Sequence, residues 1–422
     1  MSQRYLYYNL KIMRFTSMLD LDKNSSLSFK IWCYFWRSFS TLTVSYAILF
    51  SMMDLITTES PLMSKSPVFL NMSVNATLAT RLIFFYTFCK KTTKLVQLMF
   101  ETFTYSTQTG LIEKTMHSYV KKTNVGFLIW FTIGNIGAQM YMVTPLIMEE
   151  ERSLPMPLWR PYEATKSPFY ELTFLFEVIS NFILIFHVTT TDILFSTMTH
   201  ITAGQYELLA WEFEHVCYTP LLEFGFTRDD ILTFKRLLPN NCNRKEMSDE
   251  DYGLYNRIVK VTQTESYNHS LCLNFVRLIQ QHNKLIHFSE EMEKFWSILL
   301  IPMLLIAQVY LTFEVHLILN SKDSTVTLQA LEYILPIFLE ITLISFAGES
   351  LLQRSMNLRT SLYTAPWYLC GSRFKKLFSI VLMRCSRDAF ITIGGFTPNG
   401  LESYTWMMRS SIGYLAVLRE PI

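Results

Sequence analysis

Charged and amide side chains within long apolar stretches are the residues of this sequence that could do chemistry. Glu177 and Asn181 lie four positions apart in one such stretch, and Glu340 lies in a later one. An ionisable group is costly to place in a membrane, so it marks a ligand site or an ion path by default. A few polar groups among apolar and aromatic residues are typical of a small-molecule pocket. The alternative is that these carboxyl groups serve helix packing, either protonated or paired, for instance with Arg81.

Sequence signatures of catalysis are missing from the chain. HExxH, GxSxG, Walker and paired CxxC motifs do not occur, so we predict that it is not an enzyme and assign no catalytic residue and no cofactor. His282 and His287 are five positions apart, a spacing that does not suit a shared metal-binding face of a helix. We interpret them as packed or solvated histidines and predict no metal site. The net charge of +2 gives no indication of nucleic-acid binding.

The stretches that carry the intramembrane polar residues predict an all-α, polytopic membrane protein. Half of the 422 residues are hydrophobic and 33 are phenylalanine, which is too apolar for a soluble protein of this size. A membrane-spanning helix needs about 20 residues. Seven stretches qualify, at 38–56, 68–88, 125–148, 169–198, 295–319, 331–352 and 401–419. The last contains several serines and Arg409, so it is either a pore-lining helix or a marginal span packed by small residues.

Lysine, arginine and cysteine predict the orientation of the chain in the membrane. Residues 1–37, 89–124, 199–294 and 353–397, which lie on one side, contain 29 Lys and Arg, whereas the three loops on the other side contain 5. The positive-inside rule therefore places the N-terminus in the cytoplasm and the C-terminus outside the cell. All seven cysteines fall on the same side, where the reducing cytosol keeps thiols free.

Several stretches carry motifs of a known family. The segment RFKKLFSIVLMRCSRDAFITIGGF (373–396) is followed by a polar-aromatic helix that ends SIGYLAVL near the terminus. Upstream, GESLLQRSMNLRTSLYTAPWY (348–368), LIQQHNKLIHFSEEMEKFWS (278–297) and SLPMPLW with SPFYELTFLFEVIS (153–180) occur in the expected order. In these stretches the sequence resembles the insect odorant receptor family.

Two other membrane families are alternatives to this resemblance. A G-protein-coupled receptor has an external N-terminus and an NPxxY motif in its last span, and this chain has neither feature. A gustatory-type ligand-gated channel is closer, but its last span ends TYhhhhhQF (h, apolar), which is missing here. The terminus YLAVLREPI also differs from that of the family's co-receptor, Orco, which keeps an apolar end with a glutamine.

The resemblance implies an odorant-gated, non-selective cation channel. This chain would be the subunit that binds a small volatile odorant. It would form a heterotetramer with Orco around a single pore that conducts cations. The assembly would lie in the lipid bilayer as a multi-pass protein of the plasma membrane of olfactory sensory neurons.

The resemblance also places the odorant pocket among the second, third, fourth and sixth spans. The candidate ligand-binding residues there are Leu78, Leu82, Phe85, Ala138, Tyr141, Met142, Phe174, Glu177, Val178, Asn181, Tyr333, Ile337 and Glu340. The candidate pore residues of the last span are Tyr414, Val417, Leu418, Glu420 and Pro421. The match to the family's terminus puts Val417 at an apolar gate and Glu420 at the ion filter.

The predicted organisation follows from these assignments. The spans occupy three regions: 38–198 hold spans one to four, 295–352 hold spans five and six, and 398–422 are the pore-lining span. The cytoplasmic regions are the amphipathic segment 1–37, the long helical segment 199–294 and the anchor region 353–397. In the anchor region, Phe374, Leu377, Phe378 and Val381 share one apolar face of a helix. That face either lies on the inner leaflet or packs against residues 250–294, the extension of span five, as the resemblance implies.

Overall fold

The computed structural model describes an almost entirely α-helical chain. It covers residues 10–20, 25–57, 65–103, 111–148, 154–156, 158–238, 248–320 and 324–419. The helices are α1 Leu27–Thr57, α2 Ser66–Thr87, α3 Cys89–Thr102, α4 Leu111–Met148, α5 Phe169–His215, α6 Arg228–Leu237, α7 Asp249–Thr262, α8 Glu265–Asn320, α9 Ser324–Thr364, α10 Ser372–Arg384 and α11 Leu401–Arg419. Short 3-10 helices lie at Thr219–Phe224 and Trp367–Leu369, and the two-residue strands β1 Thr392–Ile393 and β2 Thr397–Pro398 pair antiparallel.

Six helices in the described part of the chain are long and apolar enough to cross a membrane. They are α1, α2, α4, α5, α8 and α9, and they correspond to the first six predicted spans. The seventh predicted span corresponds to α11, which has 19 residues. The all-α fold class agrees with the sequence pattern, because each apolar stretch has the length at which a helix satisfies its own backbone in lipid.

Three of the spans continue well beyond the thickness of a bilayer. Helix α5 has 47 residues and α8 has 56, so they extend about 70 Å and about 84 Å at 1.5 Å per residue. Residues 199–215 thus continue the fourth span, and residues 265–294 run without a break into the fifth. Helix α9 likewise continues past the sixth predicted span to Thr364.

The largest hydrophobic cluster lies where these extensions meet. Its fully buried aromatic residues include Phe213 of α5 and Phe275 and Phe288 of α8. Helix α10 adds Phe374 and Phe378, and the rings of Phe275 and Phe374 are 4.9 Å apart. The apolar face of α10 is therefore buried against α8, as expected for a packed anchor rather than for a helix on the inner leaflet.

A hairpin and a buried asparagine position the start of α11. The Asn399 amide group donates to the Ile344 carbonyl of α9 over 3.0 Å, and its backbone N–H donates to the Ile391 carbonyl over 2.7 Å. The Leu401 N–H donates to Glu349 Oε2 of α9 over 3.0 Å. Gly348 of α9 makes this contact possible, because a Cβ there would lie 2.1 Å from the Asn399 carbonyl oxygen. The last helix is thus joined at its N-terminus to α9.

Candidate functional site

A cavity of about 80 Å³ lies among α2, α4, α5, α8 and α9. It is lined by Val74 and Thr77 of α2, Trp130, Gly134 and Ala138 of α4, Asn181, Leu184, Ile185, Val188 and Thr189 of α5, Ile306, Ala307 and Tyr310 of α8, and Glu332, Pro336, Ile337 and Glu340 of α9. Apolar side chains make up most of the walls. A few polar groups among them are the arrangement expected for a small-molecule site.

Four of the predicted ligand-binding residues line this cavity, one or two from each of three helices. They are Ala138, Asn181, Ile337 and Glu340. The Asn181 amide group donates to the Ala138 carbonyl oxygen over 2.9 Å, so it joins α5 to α4 at the cavity wall. Helices α2, α4, α5 and α9, among which the resemblance places the pocket, all contribute to the cavity wall, and α8 contributes as well.

The other predicted ligand-binding residues of α2 lie in separate clusters. Leu78 and Leu82 are buried with Val44 of α1. Phe85 is in the large core, where its ring is 6.1 Å from that of Trp296. These three side chains are therefore packed between helices and do not line the cavity.

The remaining predicted residues of α4 and α5 lie near the loop between these two helices, which is described at residues 154–156 and 158–168. Tyr141 and Met142 are buried with Met156 and Leu158 of that loop, and Val178 packs against the same cluster. Phe174 is half-buried, and its ring is 6.2 Å from the ring of Tyr170. The side chain of Tyr333 lies outside the described residues.

Glu177 holds the loop between α4 and α5 onto the start of α5. Its carboxylate is fully buried, accepts from the Met156 N–H over 3.1 Å and forms an ion pair with Arg160. Arg160 also donates to the Met156 carbonyl over 2.8 Å. Glu177 is thus an ion-paired packing residue, which was the alternative to a ligand-binding role. Its partner is Arg160 rather than Arg81.

Arg81 lies at the centre of a buried ion network beside the cavity. Its guanidinium is fully buried, donates to Asp192 Oδ1 over 2.7 Å and forms an ion pair with Glu340. It also donates to the Val188 carbonyl over 2.8 Å, and Trp130 Nε1 donates to Asp192 Oδ2 over 3.2 Å. The network connects α2, α4, α5 and α9, so the Glu340 carboxylate is held in a fixed position at the cavity wall.

Sequence reasoning missed several residues at this site. Asp192 and Glu332 are carboxylates within predicted spans, and the criterion that selected Glu177 and Glu340 would also have selected them. Trp130 and Tyr310 carried no comparable signal, because aromatic residues are frequent throughout the spans.

The candidate pore residues are described only in part. Tyr414, Val417 and Leu418 belong to α11, but their side chains lie outside the described residues, as do Glu420 and Pro421 entirely. Upstream in α11, Ser411 is 2.7 Å from Gln308 of α8, and the rings of Tyr404 and Phe338 of α9 are 6.2 Å apart. Helices α8 and α9 therefore contact both the cavity and α11.

Helical spans around a mostly apolar cavity define a polytopic membrane protein with a candidate small-molecule site. The profile of the 7tm Odorant receptor family matches residues 60–412. The chain belongs to this family, which confirms the resemblance seen in the sequence. It is a multi-pass membrane protein and is not an enzyme.

Individual relatives are distant in sequence. The chain is 19% identical to Odorant receptor 83a of Drosophila melanogaster over 68% of its own length and 64% of that protein's. It is 23% identical to Odorant receptor 22c of the same species over 37% and 39% of the two lengths. It is 24% identical to Odorant receptor 10 of Aedes albopictus over 36% of its own length and 41% of that protein's. The matched segments thus span less than two thirds of each relative.

The fold is similar to that of a solved insect receptor. The olfactory receptor OR5 from Machilis hrabei in complex with eugenol superposes with a TM-score of 0.76 at 14% identity, over 99% of this chain and 97% of that one. A second structure of OR5 gives a TM-score of 0.74, also at 14% identity, over 99% of this chain and 98% of that one. The likeness confirms the predicted all-α, seven-helix membrane fold.

Proposed function

We propose that this chain is the odorant-binding subunit of a ligand-gated, non-selective cation channel. A small volatile molecule binds in the cavity among α2, α4, α5, α8 and α9 and opens a pore lined by α11. The subunit functions with Orco in a heterotetramer, in the plasma membrane of olfactory sensory neurons. The observation that carries this proposal is the cavity itself, an apolar site with few polar groups inside the spans of an odorant receptor family member.

The contacts of α9 support a route from the ligand to the pore helix. Ile337 and Glu340 line the cavity, whereas Phe338 and Thr342 of the same turns face Tyr404 of α11. Pro336 precedes these four residues in the helix and cannot donate a helical hydrogen bond, so the helix is easier to bend there. A ligand that displaces α9 at the cavity would therefore also move α11.

The contacts of α8 support a second route. Ala307 and Tyr310 line the cavity, and Gln308 lies between them on the face that contacts Ser411 of α11. Ligand binding changes an equilibrium only through different affinities for the two states. The state with α8 and α9 apart at the cavity would be the one that a ligand stabilises.

Current recording from cells that express the chain with and without Orco tests the proposal. We expect odorant-evoked cation current only in the co-expressing cells. Surface labelling of the chain in both conditions controls for expression. Strong odorant-evoked current from this chain alone would contradict the dependence on Orco, and no current with either arrangement across a broad odorant panel would contradict the odorant-gated function.

A further inference from the structure

Hydrogen-bond donors of the cavity wall are largely engaged with the protein itself. The hydroxyl groups of Thr77 and Thr189 donate to carbonyl oxygens of their own helices, over 2.8 Å and 2.7 Å. Trp130 Nε1 donates to Asp192, and Asn181 uses one of its amide hydrogens on Ala138. A hydroxyl or an indole has a single hydrogen to donate, so Thr77, Thr189 and Trp130 have none left for a ligand, and Asn181 keeps only its second amide hydrogen.

Acceptors, by contrast, are available at the wall. Oε1 of Glu332 is 3.1 Å from the Thr144 hydroxyl, whereas the buried Oε2 has no hydrogen-bond partner among the described residues. An ionised carboxylate only accepts hydrogen bonds. Leaving such an atom buried without a donor costs free energy that a ligand with a donor would recover.

The helix backbone at Glu332 also lacks a donor. Pro336 has no N–H, so the carbonyl group of Glu332 four residues earlier loses its helical donor. That carbonyl oxygen lies against α4, where a Cβ on Gly137 would be 3.0 Å away. The excess of acceptors is therefore built into both the side chain and the backbone at Glu332.

Charge in this region has the same sign. Within the described residues, the cavity lining includes Glu332 and Glu340 but no Lys, Arg or His. The neighbouring Arg81 is shared between Asp192 and Glu340. One guanidinium thus faces two carboxylates, and Glu332 has no cationic partner among the described residues. When Glu332 is ionised, the wall attracts the positive end of a polar ligand.

The size of the cavity limits the ligand. Its volume of about 80 Å³ is smaller than the apolar cavity of roughly 150 Å³ that admits benzene in another protein. Without movement of the helices, a molecule of only a few non-hydrogen atoms fits.

We propose that this cavity selects small ligands that donate a hydrogen bond, namely alcohols or amines, over ligands that only accept one, and that Glu332 receives the donated bond. The inference rests on the proposed function, because the ligand is read out through channel opening. It goes beyond that function by naming the polar chemistry of the ligand and the residue that recognises it.

Matched ligands test the selection in the wild-type channel co-expressed with Orco. The first set is sec-butanol, sec-butylamine and methyl ethyl ketone, which share a carbon skeleton and differ in the polar group. The same comparison is then made with longer carbon skeletons. We expect the half-maximal concentration for the alcohol or the amine to be lower than that of the ketone by about tenfold or more, as for a hydrogen bond to a charged acceptor. The alcohol and amine arms distinguish a neutral donor from an ammonium donor.

Substitution of Glu332 tests the assigned residue. In Glu332→Gln the side chain gains an N–H donor, so the ketone should gain potency and the preference should fall to within about threefold. Glu332→Asp keeps the carboxylate and should keep the wild-type order. Glu171→Gln makes the same chemical change at an exposed position in the first turn of α5 and should leave the order unchanged.

The outcomes separate this inference from the proposed function. Ketones that equal or exceed the alcohols and amines in potency in the wild-type channel would overturn the inference while leaving the odorant-gated function intact. An unchanged preference in Glu332→Gln would remove Glu332 from ligand recognition. No current with any odorant in any variant would instead contradict the proposed function, and the inference with it.

Discussion

At the scale of single residues, Arg81 determines how four helices meet around the cavity. Its guanidinium is fully buried and bound to Asp192 and Glu340. A buried ion pair is not by itself a large source of stability, but removing one partner leaves an uncompensated charge. The residue therefore matters more for the specific arrangement of α2, α5 and α9 than for the overall free energy of folding.

Replacing Arg81 alone should destabilise the protein strongly. In Arg81→Met, two carboxylates remain buried without their cation, at a cost of about 3–5 kcal/mol. We expect loss of surface expression and a lower unfolding temperature of detergent-solubilised protein, measured by size-exclusion chromatography after heating. The triple variant Arg81→Met, Asp192→Asn, Glu340→Gln removes all three charges and should recover much of the loss. If Arg81→Met unfolds at the wild-type temperature, the ion network does not position these helices.

Glu420 is the residue proposed to act on permeating ions. A carboxylate near a pore mouth raises the local concentration of cations. We expect Glu420→Gln to change the permeability of calcium relative to sodium, and Glu420→Lys to reduce inward current, both with near-normal odorant sensitivity. Reversal potentials in mixed-cation solutions measure the effect. Parental permeability ratios and conductance in both variants would place Glu420 away from the ion path, for example paired with Arg419 at the membrane surface.

At the scale of elements, the hairpin before α11 fixes the last helix to α9 and α8. Gly394 has a φ of +63°, and a Cβ there would lie 2.2 Å from Ile301 of α8. Glycine is suited to both the left-handed backbone and the close approach. Gly348 of α9 in turn lies against Asn399 of the hairpin. The two glycines therefore allow the turn to pack directly on α8 and α9, two of the five helices that line the cavity.

Substitution of Gly348 should loosen this attachment. In Gly348→Ala the new methyl group would collide with the Asn399 carbonyl, so the hairpin must shift, at a cost of about 1–3 kcal/mol. We expect weaker odorant-evoked current at equal surface expression, since α11 is no longer held to α9. Gly253→Ala is the matched control, because nothing lies within 4 Å of a Cβ at that exposed position of α7. A Gly348→Ala channel with normal current would show that the attachment is not needed for gating.

At the scale of the whole molecule, the largest core runs from the spans into their extensions. The long continuations of α5 and α8 pack with α10 around buried aromatic residues such as Phe213, Phe275 and Phe374. In this region Cys217 and Cys370 are free thiols 3.6 Å apart, and the hydrogen bond from Cys370, together with burial, raises the pKa of Cys217. Unreactive, protonated thiols are consistent with the predicted cytoplasmic location.

The orientation of the whole chain is directly testable. The charge asymmetry of 29 against 5 Lys and Arg predicts a cytoplasmic N-terminus and an external C-terminus. An epitope tag before Met1 should be stained by antibody only after permeabilisation, whereas a tag after Ile422 should be stained on intact cells. Staining of the N-terminal tag on intact cells would contradict the orientation.

The sequence by itself determined the all-α membrane class and the family, because span length and the motifs 278–297, 348–368 and 373–396 are local in the chain. It also identified Asn181 and Glu340 as polar residues within spans, since a polar group there is conspicuous against apolar neighbours. Only the tertiary structure decided which side chains share the cavity. Tyr141 and Glu177 contact the loop between α4 and α5, while Asp192, Glu332 and Tyr310 lie at or beside the cavity. These contacts depend on the rotation and crossing of helices far apart in sequence.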